Sequence, residues 1–139
     1  MNVVNETGDR FELRIDGYMS EYKPDKYFEN NWLRGEIVLS KNSINERIYL
    51  HFLQVEELVK LEEWINRIEN KDKETSTIFD FIDPNMRFRI WKRVHVKTVR
   101  FIYHSETKDI YSWEMLLNKL NLEDFGKKLR QLIKRFPIR

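Results

Sequence analysis

Apolar side chains return at every second position in stretch after stretch of this chain, and that spacing limits the folds open to it. Phe11, Leu13 and Ile15 alternate with Glu12, Arg14 and Asp16. Leu33, Ile37 and Leu39 share one side of a second stretch, and Ile48, Leu50 and Phe52 one side of a third. Val99, Phe101 and Tyr103 repeat the pattern, as do Tyr111, Trp113, Met115 and Leu117. A period of two sends successive side chains to opposite faces of a strand, so each stretch predicts a half-buried strand. Gly17 is expected to end the first, and KNSIN to turn the chain between the second and third. Gly35, on the apolar side of its stretch, marks a bulge or a close backbone approach. WEMLLNKL also holds good helix formers, so a helix over 111–119 stays open beside the strand.

FDFIDPNMRFRIW, residues 79–91, places an aspartate, a proline and an asparagine between two aromatic runs. Asp83, Pro84 and Asn85 suit a reverse turn, because proline presets φ and asparagine tolerates unusual backbone angles. Proline excludes the primed hairpin turns, so a wider loop around an ordinary turn is expected, with Asp83 capping it. If Asp83 lies opposite Met86, Phe81 faces Phe88, Phe79 faces Ile90, and Asp80 meets Arg89 on the other face. The segment reads as a structural hairpin over 76–81 and 86–92 rather than a catalytic loop. The connection KRVHVK that follows contains neither Gly nor Pro to say how it turns.

Two segments change period. Val55, Leu58, Val59, Leu61, Ile65 and Ile68 fall on one helical arc, with Glu56, Lys60, Glu63 and Arg67 as an expected ladder of solvated ion pairs opposite. Glu62 falls inside the apolar arc, where its stem covers the core edge or its carboxylate meets a base from a strand. Leu122, Phe125, Leu129, Leu132, Ile133 and Phe136 form a second stripe. Asn121 is its expected N-cap, with Glu123 and Asp124 in the first turn, Lys134 and Arg135 in the last, and Pro137 blocking continuation. Residues 18–30, YMSEYKPDKYFEN, read as a polar, tyrosine-rich loop. No sequence repeat is visible. The expected fold is α+β: a single domain over 1–139, with a mostly antiparallel curved sheet or two packed sheets, six to seven strands in all, and two amphipathic helices.

With 41% hydrophobic and 35% charged residues, the chain has the balance of a globular protein. It has no cysteine, which excludes disulfides and a thiol nucleophile. MNVVNETGDRFEL does not read as a secretory signal, and no apolar run reaches the ~20 residues of a membrane span. The histidines, His51, His95 and His104, have no metal-ligand spacing, and HExxH, GxSxG, P-loop and GxGxxG are all absent. No catalytic residue, metal site or cofactor is therefore expected. An unfamiliar site around His51 or His104 is the remaining enzymatic possibility.

Charge is unevenly spread although the formal net value is only +2. Residues 85–100 carry Arg87, Arg89, Lys92, Arg93, Lys97 and Arg100 with no acid among them. Arg87, Arg89 and Trp91 share one strand face, and with Arg100 they offer phosphate contacts beside a stacking ring. A nucleic-acid-binding module on this face is the alternative function, weighed against an ordinary solvated sheet face.

The order of four segments adds a further constraint. Asn31, Trp32 and Leu33 open a strand, and Glu56, Glu57, Leu58, Trp64 and Ile65 follow on a helix. Phe81, Pro84, Asn85, Met86 and Phe88 form F-x-x-PN-M-x-F in the hairpin, and Phe136, Pro137 and Arg139 belong to a closing FPIR. In order and spacing, over residues 10–139, the chain resembles the WapI-type immunity proteins of Gram-positive bacteria. The resemblance implies a small cytoplasmic antidote to a secreted, wall-associated polymorphic toxin whose C-terminal part is a nuclease. It implies no catalytic residues. Trp32, Trp64, Phe81 and Phe136 would be core anchors, and Pro84 and Asn85 turn residues. The chain is slightly basic where members are often markedly acidic. The expected function is thus a non-enzymatic inhibitor that binds a cognate toxin protein and occludes it, with no membrane or small-molecule partner. Two surfaces are candidates for that contact: the acidic helix edge of Glu56, Glu57, Glu63 and Glu69, and Tyr18, Tyr22 and Tyr27 in the long loop.

Overall fold

Every stretch with period-two spacing is a strand. The computed structural model describes residues 1–70, 76–93, 96–104 and 110–139. In its first half β1 (Asn2–Val4), β2 (Arg10–Tyr18), β3 (Trp32–Lys41) and β4 (Ile44–Gln54) run antiparallel in that order. One helical turn, α1 (Tyr27–Asn30), interrupts the β2–β3 connection, and α2 (Val55–Asn70) follows β4 directly. The second half repeats the path: β5 (Ser76–Asp80), β6 (Met86–Arg93), β7 (Val96–His104) and β8 (Ile110–Leu117) form another antiparallel sheet, followed by α3 (Lys119–Arg135). The protein is α+β, with two four-stranded sheets. The path repeats although the sequence does not. The strands number eight among the described residues rather than six to seven, because β1 is too short to show a period.

The two sheets and the two long helices close on one core. Phe11 on β2 is its centre: its ring lies 5.3 Å from Phe88, 5.7 Å from Phe125, 6.0 Å from Phe101 and 6.2 Å from Trp113. One side chain of the first sheet therefore touches three strands of the second sheet and α3. Trp64 on α2 sits 5.7 Å from Phe79 and 6.1 Å from Phe88, which draws α2 onto the second sheet. Trp64, Phe81 and Phe136 are buried, while Trp32 is only partly so. The helices meet each other through Glu62, whose Oε1 accepts from Arg130 Nη1 at 2.6 Å. The base that Glu62 finds thus comes from a helix, not a strand.

Local chemistry explains where the elements depart from expectation. Gly17 does not end β2: Asp16 is bulged out there, and the strand resumes with Gly17 opposite Arg34. Gly35 faces this irregularity, and a Cβ on it would stand 2.0 Å from the Arg14 carbonyl oxygen, so the close approach is real. Lys41 pairs with Ile44 across a two-residue turn whose Asn42 and Ser43 both have positive φ, 49° and 65°. Residues 110–117 are a strand, not a helix. The N-cap of α3 is Asn118, whose side chain accepts from the Asn121 N–H, while the Asn121 side chain accepts from the Asn118 N–H. Asn121 is the third residue of the helix, and Glu123 and Asp124 lie beyond its first turn.

The hairpin register differs by two residues. Phe79 pairs with Phe88 and Asp80 with Arg87, and the Phe81 N–H reaches the Met86 carbonyl at 3.3 Å. A shift of two keeps each face intact, since side chains alternate with that period. Asp83 caps the turn as expected, its Oδ1 accepting the Asn85 N–H at 2.9 Å. The loop is wider because Ile82 is held from outside: its N–H donates to Glu57 Oε1 at 2.6 Å. Within the connection KRVHVK, Val94 and His95 lie outside the described residues.

Candidate partner-binding surface

The β2–β3 connection is long, yet its backbone is tied at both ends and in the middle. The Met19 N–H donates to the Trp32 carbonyl at 2.8 Å. Asn30, only 2% exposed, closes a ring on one residue: its Oδ1 accepts the Lys23 N–H at 2.8 Å and its Nδ2 donates to the Lys23 carbonyl at 2.6 Å. Asn31, equally buried, donates from Nδ2 to the Tyr27 carbonyl at 2.9 Å and accepts the Arg139 N–H on Oδ1 at 2.8 Å. The Asn31 carbonyl accepts the Val55 N–H at 3.0 Å, joining the loop to the start of α2. Buried amides that satisfy backbone groups in this way fix a segment that has no ladder of its own.

The clamped loop exposes four large apolar side chains beside Glu21, Lys23, Asp25, Lys26 and Glu29. Met19 is 53% exposed, Tyr22 58%, Tyr27 51% and Phe28 73%. The Tyr27 and Phe28 rings stand edge to face, 5.7 Å apart. Tyr27 donates its hydroxyl to Glu56 Oε1 at 3.0 Å, which holds the phenol above its ordinary pKa. The two surfaces expected separately, the tyrosine loop and the acidic helix edge, therefore meet at this bond. It draws Glu56 away from the anticipated ion-pair ladder. The other oxygen of Glu56 is buried and has no hydrogen-bond partner.

The remaining residues of the two surfaces fare differently. Glu57 is 3% exposed and turned inward, with Oε2 accepting the Gln54 N–H at 2.7 Å and Oε1 the Ile82 N–H. It is the third residue of α2 reaching back to the residue before the helix, half of a capping box, and is not available at the surface. Burial pushes its carboxyl above the usual carboxylate range, against the two backbone N–H groups and Lys60, which favour the charged form. Tyr18 is likewise engaged: its hydroxyl donates to the Pro137 carbonyl, the Arg139 guanidinium lies 3.4 Å over its ring, and Phe136 packs edge-on at 5.8 Å. Glu63 is exposed on α2. The Glu69 side chain lies outside the described part. Tyr22 and Tyr27 could be read from the sequence as exposed. Phe28 and Asn30 were missed, and Asn31 was read only as the opening of a strand, although an aromatic residue in a polar loop with no periodic partner is itself a signal.

On the second sheet, Arg87 and Arg100 lie on the outer face as expected, but each is matched by an acid on the next strand. Arg87 pairs with Asp80, and Arg100 with Glu114. Arg89 stands opposite Arg100 in the ladder, and the Trp91 side chain lies outside the described part. These pairs leave less positive charge on the face than the composition of 85–100 suggests. His51 belongs to β4 of the first sheet and His104 ends β7 of the second, so the strands do not pair them. His95 lies outside the described residues. Among the described residues, no three His, Asp or Glu side chains come together to hold a metal ion, and no helix is long and apolar enough to cross a membrane. An open depression lined by Met1, Asn2, Lys128, Gln131, Leu132 and Arg135 contains no acid or histidine.

Residues named for their spacing in the sequence touch one another in the fold. Asn31 holds Arg139, Glu57 holds the loop before Pro84, and Trp64 packs on Phe88. A family model described as the immunity protein WapI-like family matches residues 3–137. No curated protein matches the chain.

Proposed function

The chain belongs to the WapI-like immunity protein family, and from that premise we propose that it neutralises a cognate toxin by binding the toxin domain directly and covering its working surface. The match across residues 3–137 carries this proposal. The toxin domain is of the nuclease type, and the encounter takes place in the cytoplasm, where the antidote protects the cell that makes both proteins. The chain acts as one domain over 1–139 and performs no chemistry of its own. Two features favour occlusion over catalysis. The chain offers large exposed side chains on a fixed backbone, the kind of anchor that supplies most of the energy of a protein interface. Its buried titratable residues are spent on the fold, as Glu57 is on two backbone N–H groups.

Co-expression with the toxin domain encoded by the adjacent reading frame tests this. Growth is expected to be restored at full antidote expression. Continued killing at that level would reject the proposal. Changing His51 and His104 together to Gln should leave protection intact, whereas loss of protection with the fold preserved would point to chemistry instead.

A further inference from the structure

We infer that the free edge of β4 over residues 45–50 pairs with the same edge of a second copy of this chain, antiparallel about a two-fold axis, so that the first sheets of the two copies become one continuous sheet. This goes beyond the antidote role and does not depend on it.

The four sheet edges are not alike. β1 has three residues, and its Val4 carbonyl accepts from Asn121 Nδ2 at 3.3 Å. β5 has five residues. β8 is plugged from the other sheet, where Lys41 Nζ donates to the Glu114 carbonyl at 3.1 Å. β4 is eleven residues long and pairs on one side only, with β3. Alternate residues of an antiparallel strand send their N–H and C=O groups to opposite sides. The two-residue turn pairs Ile44 with Lys41, which aims the groups of Ile44 at β3 and those of Asn45, Arg47 and Tyr49 away from it. Among the described residues, nothing takes that outward set. The strand INERIYLHFLQ holds neither Lys nor Pro, two of the devices that block such an edge, and its Tyr49 is 66% exposed.

The chain itself supplies the complementary strand. With Ile48 of one copy opposite Ile48 of the other, Arg47 of each lies opposite Tyr49 of its mate, and their outward N–H and C=O groups satisfy one another. A guanidinium beside a phenol ring is a favourable cross-strand pair, and within its own chain Arg47 meets Glu36 at 3.8 Å, the long end of an ion pair. Sliding the pairing one step toward the turn sets Arg47 against Arg47, and a second step sets Glu46 against Glu46. Sliding it the other way runs the ladder into the irregularity between Leu50 and Leu53. One strand pair of this length buries less than the ~1,000 Å² of a stable interface, so a weak dimer is expected, with Kd on the order of 50 μM.

Sedimentation velocity on the native protein from about 5 to about 500 μM, a range that brackets such a Kd, tests this. Arg47→Pro removes an N–H that β3 does not use, is tolerated on an edge, and should weaken the dimer about tenfold or more. Tyr49→Lys, which sets a second cation opposite Arg47, should also weaken it about tenfold. Adding Arg47→Glu to Tyr49→Lys places opposite charges across the axis and should bring the dimer back to within about threefold of the native protein. Misfolding cannot produce that recovery, and melting temperatures check each variant. A native protein that stays monomeric throughout the range would overturn the inference. So would a dimer indifferent to Arg47→Pro and Tyr49→Lys, or one that the paired exchange fails to restore. A monomer that binds the toxin domain and loses that binding on Arg47→Pro would give the edge to a foreign strand and overturn the second copy.

Discussion

The Glu57 carboxylate joins the two halves of the chain through their backbones, one oxygen on Gln54 at the start of α2 and the other on Ile82 before the hairpin turn. Glu57→Ala would leave two part-buried backbone donors without their acceptor and is expected to cost about 2 kcal/mol, read from the urea midpoint. The same residue sets a pH dependence. Its folded pKa is raised, chiefly by burial, so the folded state holds the proton where the unfolded chain has released it. Its contribution is fully present below the ordinary glutamate value and is lost as pH rises through the elevated one. The stability of the native protein relative to Glu57→Gln should therefore fall as pH is raised from about 4 towards neutrality. Parallel profiles, or a relative stability that climbs with pH, would contradict this. Gly35 makes a steric prediction of the same kind. With the Arg14 carbonyl 2.0 Å from where its Cβ would lie, Gly35→Ala must push β2 from β3 and should cost on the order of 3 kcal/mol.

Elements are bounded by chemistry of a few residues each. Ser43 sits at φ 65° in the β3–β4 turn, a conformation glycine adopts freely. Ser43→Gly should stabilise the protein by about 1 kcal/mol, and a lower denaturation midpoint would refute that geometry. Asn118→Ala removes the cap of α3 and is expected to cost about 1 kcal/mol in the same assay. The sequence carried the strands and the two long helices openly, because alternation from Phe11 to Ile15 or the stripe from Leu122 to Phe136 is a local pattern. What it hid was set from a distance or shared between alternatives. The hairpin register turns on Ile82, whose N–H is claimed by Glu57 twenty-five positions earlier. Asn118 and Asn121 cap each other's N–H, so choosing one from the sequence alone left the other unexplained. The candidate surface was legible in Tyr22, Tyr27 and Glu56 singly. That Tyr27 and Glu56 touch, and that Glu57 turns inward while its neighbour does not, depends on how the β2–β3 loop lies against α2.

Across the whole molecule, the two meander-and-helix halves are bound by shared aromatic packing rather than by a strand common to both sheets. Phe11 is where they meet. Phe11→Ala should cost about 4 kcal/mol and lower the stability of both sheets together, giving one transition by fluorescence and by circular dichroism. Separate transitions for the halves would mean that the core is not continuous. A body of this kind can cover another macromolecule, as the proposed role requires, and its use is then stoichiometric. An inhibitor that works by covering its target is consumed one for one, whereas an enzyme acting on the toxin or its products is not. Titrating a fixed amount of toxin with increasing antidote, and measuring the residual toxin activity, separates the two most directly. Direct occlusion predicts a straight decline that reaches zero at one molar equivalent. Complete loss of activity at a small fraction of an equivalent, or undiminished activity well beyond one, would contradict it.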